Sequence, residues 1–185
     1  MRAMSLATPL SPLTEPLPLL HGRGYAPIEL TDVMCRPLDA SDAVAATSAL
    51  QVAPIAADEG AAWARAAADG WSEHPEIVAF VGELSSIYAR TVGATCFAAR
   101  IDGEIAATGV LAIHGGVALL AGAKSRPAFR RRGAQTALLS ARLRHAHDAG
   151  CFLAMVCTRP GSDSHRNAER RGFRVAYTRI KWRQA

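Results

Sequence analysis

The chain has 185 residues, half of them hydrophobic, with 21 Lys and Arg against 16 Asp and Glu for a formal charge of +5. That length can bury one substantial core, and that apolar content excludes a largely disordered chain. The charge is uneven: residues 1–125 carry seven Lys and Arg against thirteen Asp and Glu, net −6, while residues 126–185 carry fourteen against three, net +11.

Residues 5–20, SLATPLSPLTEPLPLL, are too proline-rich and too short to cross a bilayer, and they lack the unbroken apolar centre of a secretory signal. No membrane association is expected, and a cytoplasmic location is. Residues 23–38 alternate through Ile28, Leu30, Val33 and Cys35 and predict a strand with no evident internal partner. Residues 39–49 read as a linker or short helix, and LQVAPI, 50–55, as the next strand. An alanine-rich helix to about residue 69 follows, opened by Asp58 and Glu59, with Trp63 on its buried side. A second helix runs from Pro75 to about Arg90, with Ile77, Phe80, Val81, Leu84 and Tyr88 as its apolar stripe.

After it the hydrophobic period changes from helix to strand. Residues 95–125 predict a three-stranded antiparallel meander turning at Asp102-Gly103 and Gly115-Gly116. A helix from 133 to 149 puts Leu138, Leu139 and Leu143 inward and its arginines elsewhere, stopping at Gly150. CFLAMVCT reads as a central strand, PGSDSHRNAERRG as a loop with a short helix, and FRVAYTRIKW as a closing strand whose alternation slips at Thr178. The four cysteines, Cys35, Cys96, Cys151 and Cys157, form no CxxC pair or metal-ligand spacing and read as reduced, mostly buried thiols; Cys157, at a strand end, is the one with a place for chemistry.

The basic part suits either nucleic acid or a smaller polyanion. Its thirteen arginines are joined by one lysine, Lys181, with no paired aromatic stripe and no helix-turn-helix or zinc module, which argues against nucleic acid. Within it lies FRRRGAQTALL, 129–139. A strand followed at once by a glycine-bearing turn and a helix presents unpaired N–H groups, and these suit a diphosphate. Gly133 lets a phosphate approach, and Arg130, Arg131 and Arg132 compensate its charge. Taken alone, the stretch equally fits an ordinary helix start with a solvated arginine collar.

The element order around this stretch resembles the GNAT superfamily of acetyl-CoA-dependent N-acetyltransferases. Their pyrophosphate loop follows the pattern Arg or Gln, two residues, Gly, one residue, Gly or Ala. Arg130 and Gly133 match it, and Gln135 departs from the small residue usual there. The resemblance extends over residues 50–182, and SHRNAERRGFRVAYTRIKW is similar to the end of one bacterial group. It implies a mixed α/β (α+β) GNAT-like acyltransferase fold, a central twisted mixed sheet flanked by helices. It implies acetyl-CoA as cosubstrate, with Ala123 and Ser125 pairing with the pantetheine arm and the N–H groups of Arg131, Arg132, Gly133, Ala134, Gln135 and Thr136 on the pyrophosphate. Residues 1–38 look like the remnant of a larger N-terminal segment of longer relatives, 39–49 like a linker, and 50–185 like the acetyltransferase domain.

The expected reaction is direct attack by a primary amine of a small molecule or peptide on the thioester in a ternary complex. A backbone N–H near Ala123 would polarise the carbonyl. Many GNAT enzymes use as acid a tyrosine five residues before the phenylalanine of the Gly-Phe pair; here that position is Ala168, which has no proton to give. Tyr177, Ser164 and His165 are the substitutes, Tyr177 being also readable as a core aromatic with its hydroxyl at the edge. Asn167 orients the cofactor or caps a turn. Glu83 and His114 are candidate bases, each also readable as an ordinary surface residue, and no residue pattern indicates a metal. The alternative is a degenerate protein that binds a CoA ester as a sensor or regulatory partner. The unpartnered strand at 28–36 points to a homodimer in which residues 23–38 cover a sheet edge.

Overall fold

The computed structural model describes residues 3–6, 16–43 and 50–184. In chain order the elements are β1 (Ala3–Leu6), α1 (Pro16–Gly22), β2 (Tyr25–Pro37), β3 (Gln51–Pro54), α2 (Gly60–Asp69), α3 (Pro75–Tyr88), β4 (Ala94–Ile101) and β5 (Glu104–His114). There follow β6 (Val117–Ser125), α4 (Ala134–Asp148), β7 (Leu153–Thr158), α5 (Asp163–Arg170) and β8 (Arg174–Gln184). The fold is mixed α/β. It divides into two compact units, Pro37–Ala154 and Met1–Arg36 with Met155–Ala185.

In the first unit β3, β4, β5 and β6 form consecutive antiparallel pairs. The β4–β5 turn has positive φ at Asp102 (51°) and Gly103 (81°), the backbone a two-residue hairpin requires. Alanine-rich α2 needs little beyond propensity and a good start, and the Glu59 carboxylate supplies the start by accepting the Ala56 N–H at 2.8 Å. It delivers Trp63 to the core, 1% exposed, where the indole N–H donates to the Phe97 carbonyl at 2.8 Å beside Ala64, Cys96, Ala98 and Val110. On α3 the stripe predicted from sequence is only partly met: Ile77, Val81, Leu84 and Tyr88 are half-buried, but Phe80 is exposed. Small residues meet here: Gly82 faces Ala68 of α2, where an added Cβ would lie in ordinary contact at 3.7 Å, and Ser85 is the residue of α3 that is buried.

In the second unit β8 lies between β1 and β2, and β2 between β8 and β7. The β2–β8 ladder is antiparallel, from Tyr25 opposite Gln184 to Cys35 opposite Arg174. The strand at 28–36 therefore has a partner within its own chain, contrary to the reading that left it unpaired. The slip in β8 falls at Ala176, passed over between Tyr177 opposite Val33 and Val175 opposite Met34. Elements β1 and α1, absent from the sequence reading, lie in or beside a proline-rich stretch. Of the supposed linker 39–49, Ala40–Ala43 is a 3-10 turn and residues 44–49 lie outside those described. Among the described residues no helix is long and apolar enough to cross a membrane.

Candidate functional site

β6 ends at Ser125, a 3-10 turn spans Pro127–Phe129, and the backbone then reverses through Arg131 (φ 62°) and Gly133 (φ 79°) into α4. The Ala137 N–H closes the first helical bond onto the Gly133 carbonyl at 3.0 Å. Ahead of it, the N–H groups from Arg131 through Thr136 have no backbone or side-chain acceptor among the described residues. They are the orphan donors of a helix start extended into a turn, at the positive end of the α4 dipole. Among the described residues, a Cβ on Gly133 would meet only Leu50 Cδ1, at 3.9 Å. The glycine is thus favoured by its left-handed backbone, and no other described residue crowds the position.

The arginines differ from one another. Arg130 donates to Glu73 at 2.5 Å, and Arg126 to Asp69 at 2.6 Å, with Glu104 at 3.4 Å. The hydrogen bond from Arg130 holds the Glu73 carboxyl below the usual carboxylate range, and Asp69 raises the Arg126 guanidinium above its own. Arg132 lies over the Phe129 ring at 5.8 Å, and neither it nor Arg131 pairs with a carboxylate among the described residues. Gln135 departs from the family loop pattern for a local reason: its side-chain amide donates to the Ser125 hydroxyl at 3.1 Å, tying the first turn of α4 to the end of β6. Ser125 itself is buried.

Before that strand end, β6 bulges. Thr108 pairs with Lys124 and Val110 with Ala121, so Gly109 faces both Gly122 and Ala123. The latter two are exposed, and Gly122 takes φ 57°. Behind the bulge, Arg142 on α4 is 3% exposed, a correction to the placing of all the helix arginines on its outer side. Its Nε donates to the Leu138 carbonyl at 3.2 Å, and its Nη1 to the carbonyls of Val110 at 3.1 Å and Ala121 at 3.2 Å. Burial lowers its pKa to about 10, so the guanidinium is still charged at neutral pH.

The remaining candidates of this unit lie on different elements. Glu83 is exposed on α3 and His114 is exposed at the end of β5. Cys96 and Cys151 are buried, and burial pushes the Cys96 thiol up to about 11.

The second unit brings Ser164, His165 and Asn167 together on α5, with Tyr177 on β8. Ser162 caps α5, its hydroxyl accepting the His165 N–H at 3.2 Å; Asn167 lies inside the helix and caps nothing. Ser164 is exposed, Tyr177 half-buried and Ala168 buried. His165 is held between two carboxylates, its Nε2 3.3 Å from Asp32 and its Nδ1 3.7 Å from Glu169. Asp32 is 6% exposed and accepts the Thr178 hydroxyl at 2.6 Å. The buried Nε2 nevertheless lacks a well-aligned hydrogen bond among the described residues. Cys35 and Cys157 are half-buried free thiols; burial first, then the neighbouring Cys157, raises the Cys35 pKa. Among the described residues no group of three or more His, Cys, Asp or Glu could hold a metal ion.

Asp32 and Arg142 were missed by the sequence reading. The signals available were an aspartate inside an otherwise apolar alternation and an arginine one position before Leu143 on the inner stripe.

Residues 35–160 match the family described as the acetyltransferase (GNAT) domain. Among solved structures, a GCN5-related N-acetyltransferase from Kribbella flavida is similar at 19% identity and TM-score 0.67, over 90% of this chain and 62% of that one. One from Sphaerobacter thermophilus is similar at 19% and 0.66, over 91% and 55%. The PaiA N-acetyltransferase from Thermoplasma acidophilum, solved in complex with coenzyme A, is similar at 11% and 0.59, over 75% and 100%. This chain thus spans less than two thirds of the first two. No curated protein matches it. With a family match over most of its length, the chain belongs to the GNAT acetyltransferases.

Proposed function

We propose that this protein transfers an acetyl group from acetyl-CoA to a primary amine of a small molecule or peptide, by direct attack in a ternary complex. The observation that carries this reading is the run of N–H groups from Arg131 through Thr136 that have no acceptor among the described residues, beside a Gly133 that no described residue crowds. Six donors, a helix dipole and two guanidinium groups that pair with no carboxylate among the described residues fit a pyrophosphate. When bound, acetyl-CoA supplies an activated acyl carbon. The exposed backbone at Gly122 and Ala123 polarises its carbonyl, and the end of β6 near Ser125 lines the pantetheine arm.

In the reaction the amine lone pair forms the new N–C bond, and the C–S bond breaks with its electrons on sulfur. The ammonium proton leaves to water or a base, and the thiolate takes a proton in turn. Glu83 is the candidate base, and Tyr177, Ser164 and His165 are the candidate acids, with Asn167 orienting the cosubstrate. Of these, His165 has the best-defined surroundings, between Asp32 and Glu169.

The test is calorimetric titration with acetyl-CoA, followed by thiol release across a panel of amines. Micromolar binding with turnover is expected; binding without turnover on any amine removes the enzyme reading. That outcome would favour the second reading, a CoA-ester sensor, which rests on Ala168 occupying the usual acid position as a buried methyl group.

A further inference from the structure

We propose that Arg142 is a positioning residue for acyl transfer, holding the bulged Ala121–Gly122 peptide so that the Gly122 N–H donates to the thioester oxygen. The inference rests on the acetyltransferase reading above and adds to it a group that never touches substrate.

A buried guanidinium with no carboxylate partner among the described residues is costly, and apolar residues of similar volume would fill the same space on α4 with less penalty. The chain keeps it and makes room for it: a Cβ on Gly109 would come within 3.1 Å of the guanidinium carbon and of Nη1. Gly109 is also the residue that faces the two bulged positions. The arginine and the bulge therefore form one arrangement, in which Nη1 gathers carbonyls from both strands, Val110 at 3.1 Å and Ala121 at 3.2 Å.

The peptide plane carries the effect across the strand. All described peptide bonds are trans, and a trans peptide sets its C=O and N–H in opposite directions. With the Ala121 carbonyl fixed on the guanidinium, the N–H of Gly122 points away from it. A cation on the carbonyl also draws electron density from the peptide, which makes that N–H a stronger donor. Negative charge develops on the thioester oxygen as the amine attacks, so a donor fixed beforehand stabilises the transition state more than the bound thioester. Arg142 should consequently act on kcat and leave cosubstrate binding, which rests on the loop at 131–136, almost unchanged.

The experiment compares wild type with R142M, R142K and G109A, measuring acetyl-CoA affinity, kcat, KM and melting temperature. The amide shift of Gly122 is followed by NMR on addition of acetyl-CoA and, separately, of CoA, which has no thioester oxygen. In wild type the Gly122 proton moves further downfield with acetyl-CoA than with CoA. R142M should lose most of that difference and lower kcat about tenfold or more, with affinity changed by less than about twofold. R142K, which returns a point charge without the fork, should recover part of both. A folded R142M with wild-type kcat and wild-type Gly122 shift overturns the proposal, as does a fall in melting temperature unaccompanied by either change. Where R142M does not fold, G109A decides: displacement of the guanidinium lowers kcat at constant affinity, and an unchanged kcat overturns the proposal. A wild type that binds acetyl-CoA but acetylates no amine sinks the enzymatic reading alone, and the Gly122 shift then decides this one; a wild type without the acetyl-dependent shift refutes it.

Discussion

The loop at 129–136 and the cluster around Asp32 both present polar groups, but they are made in different ways. At the loop the donors are backbone N–H groups, released by two left-handed residues and a helix start within one short stretch. Around Asp32 the polar atoms are side chains from β2, β8 and α5, with Thr178 and His165 lying 146 and 133 residues away in sequence. A backbone site depends on local conformation and tolerates side-chain change. A side-chain site depends on the register of strands distant in sequence, and each missing partner removes a contact that no nearby residue replaces.

That contrast can be broken most severely at Asp32. Replacing it with alanine removes the carboxylate that accepts the Thr178 hydroxyl and lies beside His165, and the expected loss is about 2 kcal/mol of stability, the scale of a hydrogen bond to a charged group, read by urea denaturation, with acetyl-CoA affinity nearly unaltered. A stable D32A protein would mean the cluster contributes nothing to holding β2 and α5. At the loop the signature should be reversed. Gly133→Val is expected to raise the acetyl-CoA dissociation constant at least about tenfold, or ~1.4 kcal/mol. Some stability goes with it, about 1–2 kcal/mol, because a branched residue at φ 79° is strained. A folded G133V protein binding with unchanged affinity would overturn the phosphate-loop assignment.

Smaller changes sharpen the comparison. Arg131→Ala removes charge but keeps every N–H, so calorimetry should show a loss of only about threefold; a loss equal to that of G133V would make the site one of side chains after all. Glu73→Gln frees Arg130 from its anionic partner and should tighten acetyl-CoA about twofold. The same tie has a pH signature. Since Arg130 lowers the Glu73 pKa in the folded protein, the interaction is complete above the ordinary value of 4.5 and is lost as pH falls through the lowered one. The difference between wild type and E73Q should vanish in that acidic range.

Most of the fold around the loop could be read in advance because its signals are local. Asp102-Gly103 and Gly115-Gly116 mark turns, Pro75 opens a helix, and Arg130 with Gly133 sits where strand gives way to helix. Arg142 could not be read, because periodicity treats an arginine as outward-facing, and what takes it inward is a pair of carbonyls 21 and 32 residues away, one of them at the bulge. Asp32 escaped for the same reason. The partner of β2 lay at the far end of the chain, so a strand that looked orphaned was paired all along. The acid and base stay proposals, because Tyr177, Ser164 and Glu83 owe their candidacy to residue type and position, and the structure gives none of them a charged partner among the described residues.

The bond between Gln135 and Ser125 has a kinetic consequence. It pins both ends of a ten-residue excursion to the same frame, so the intervening backbone has little freedom left to lose when a ligand arrives. Such a site need not wait for a loop to close around its ligand. Association with the diphosphate should proceed in a single step whose rate is set by encounter and by the arginines' attraction for the anion, and should slow as salt screens that attraction.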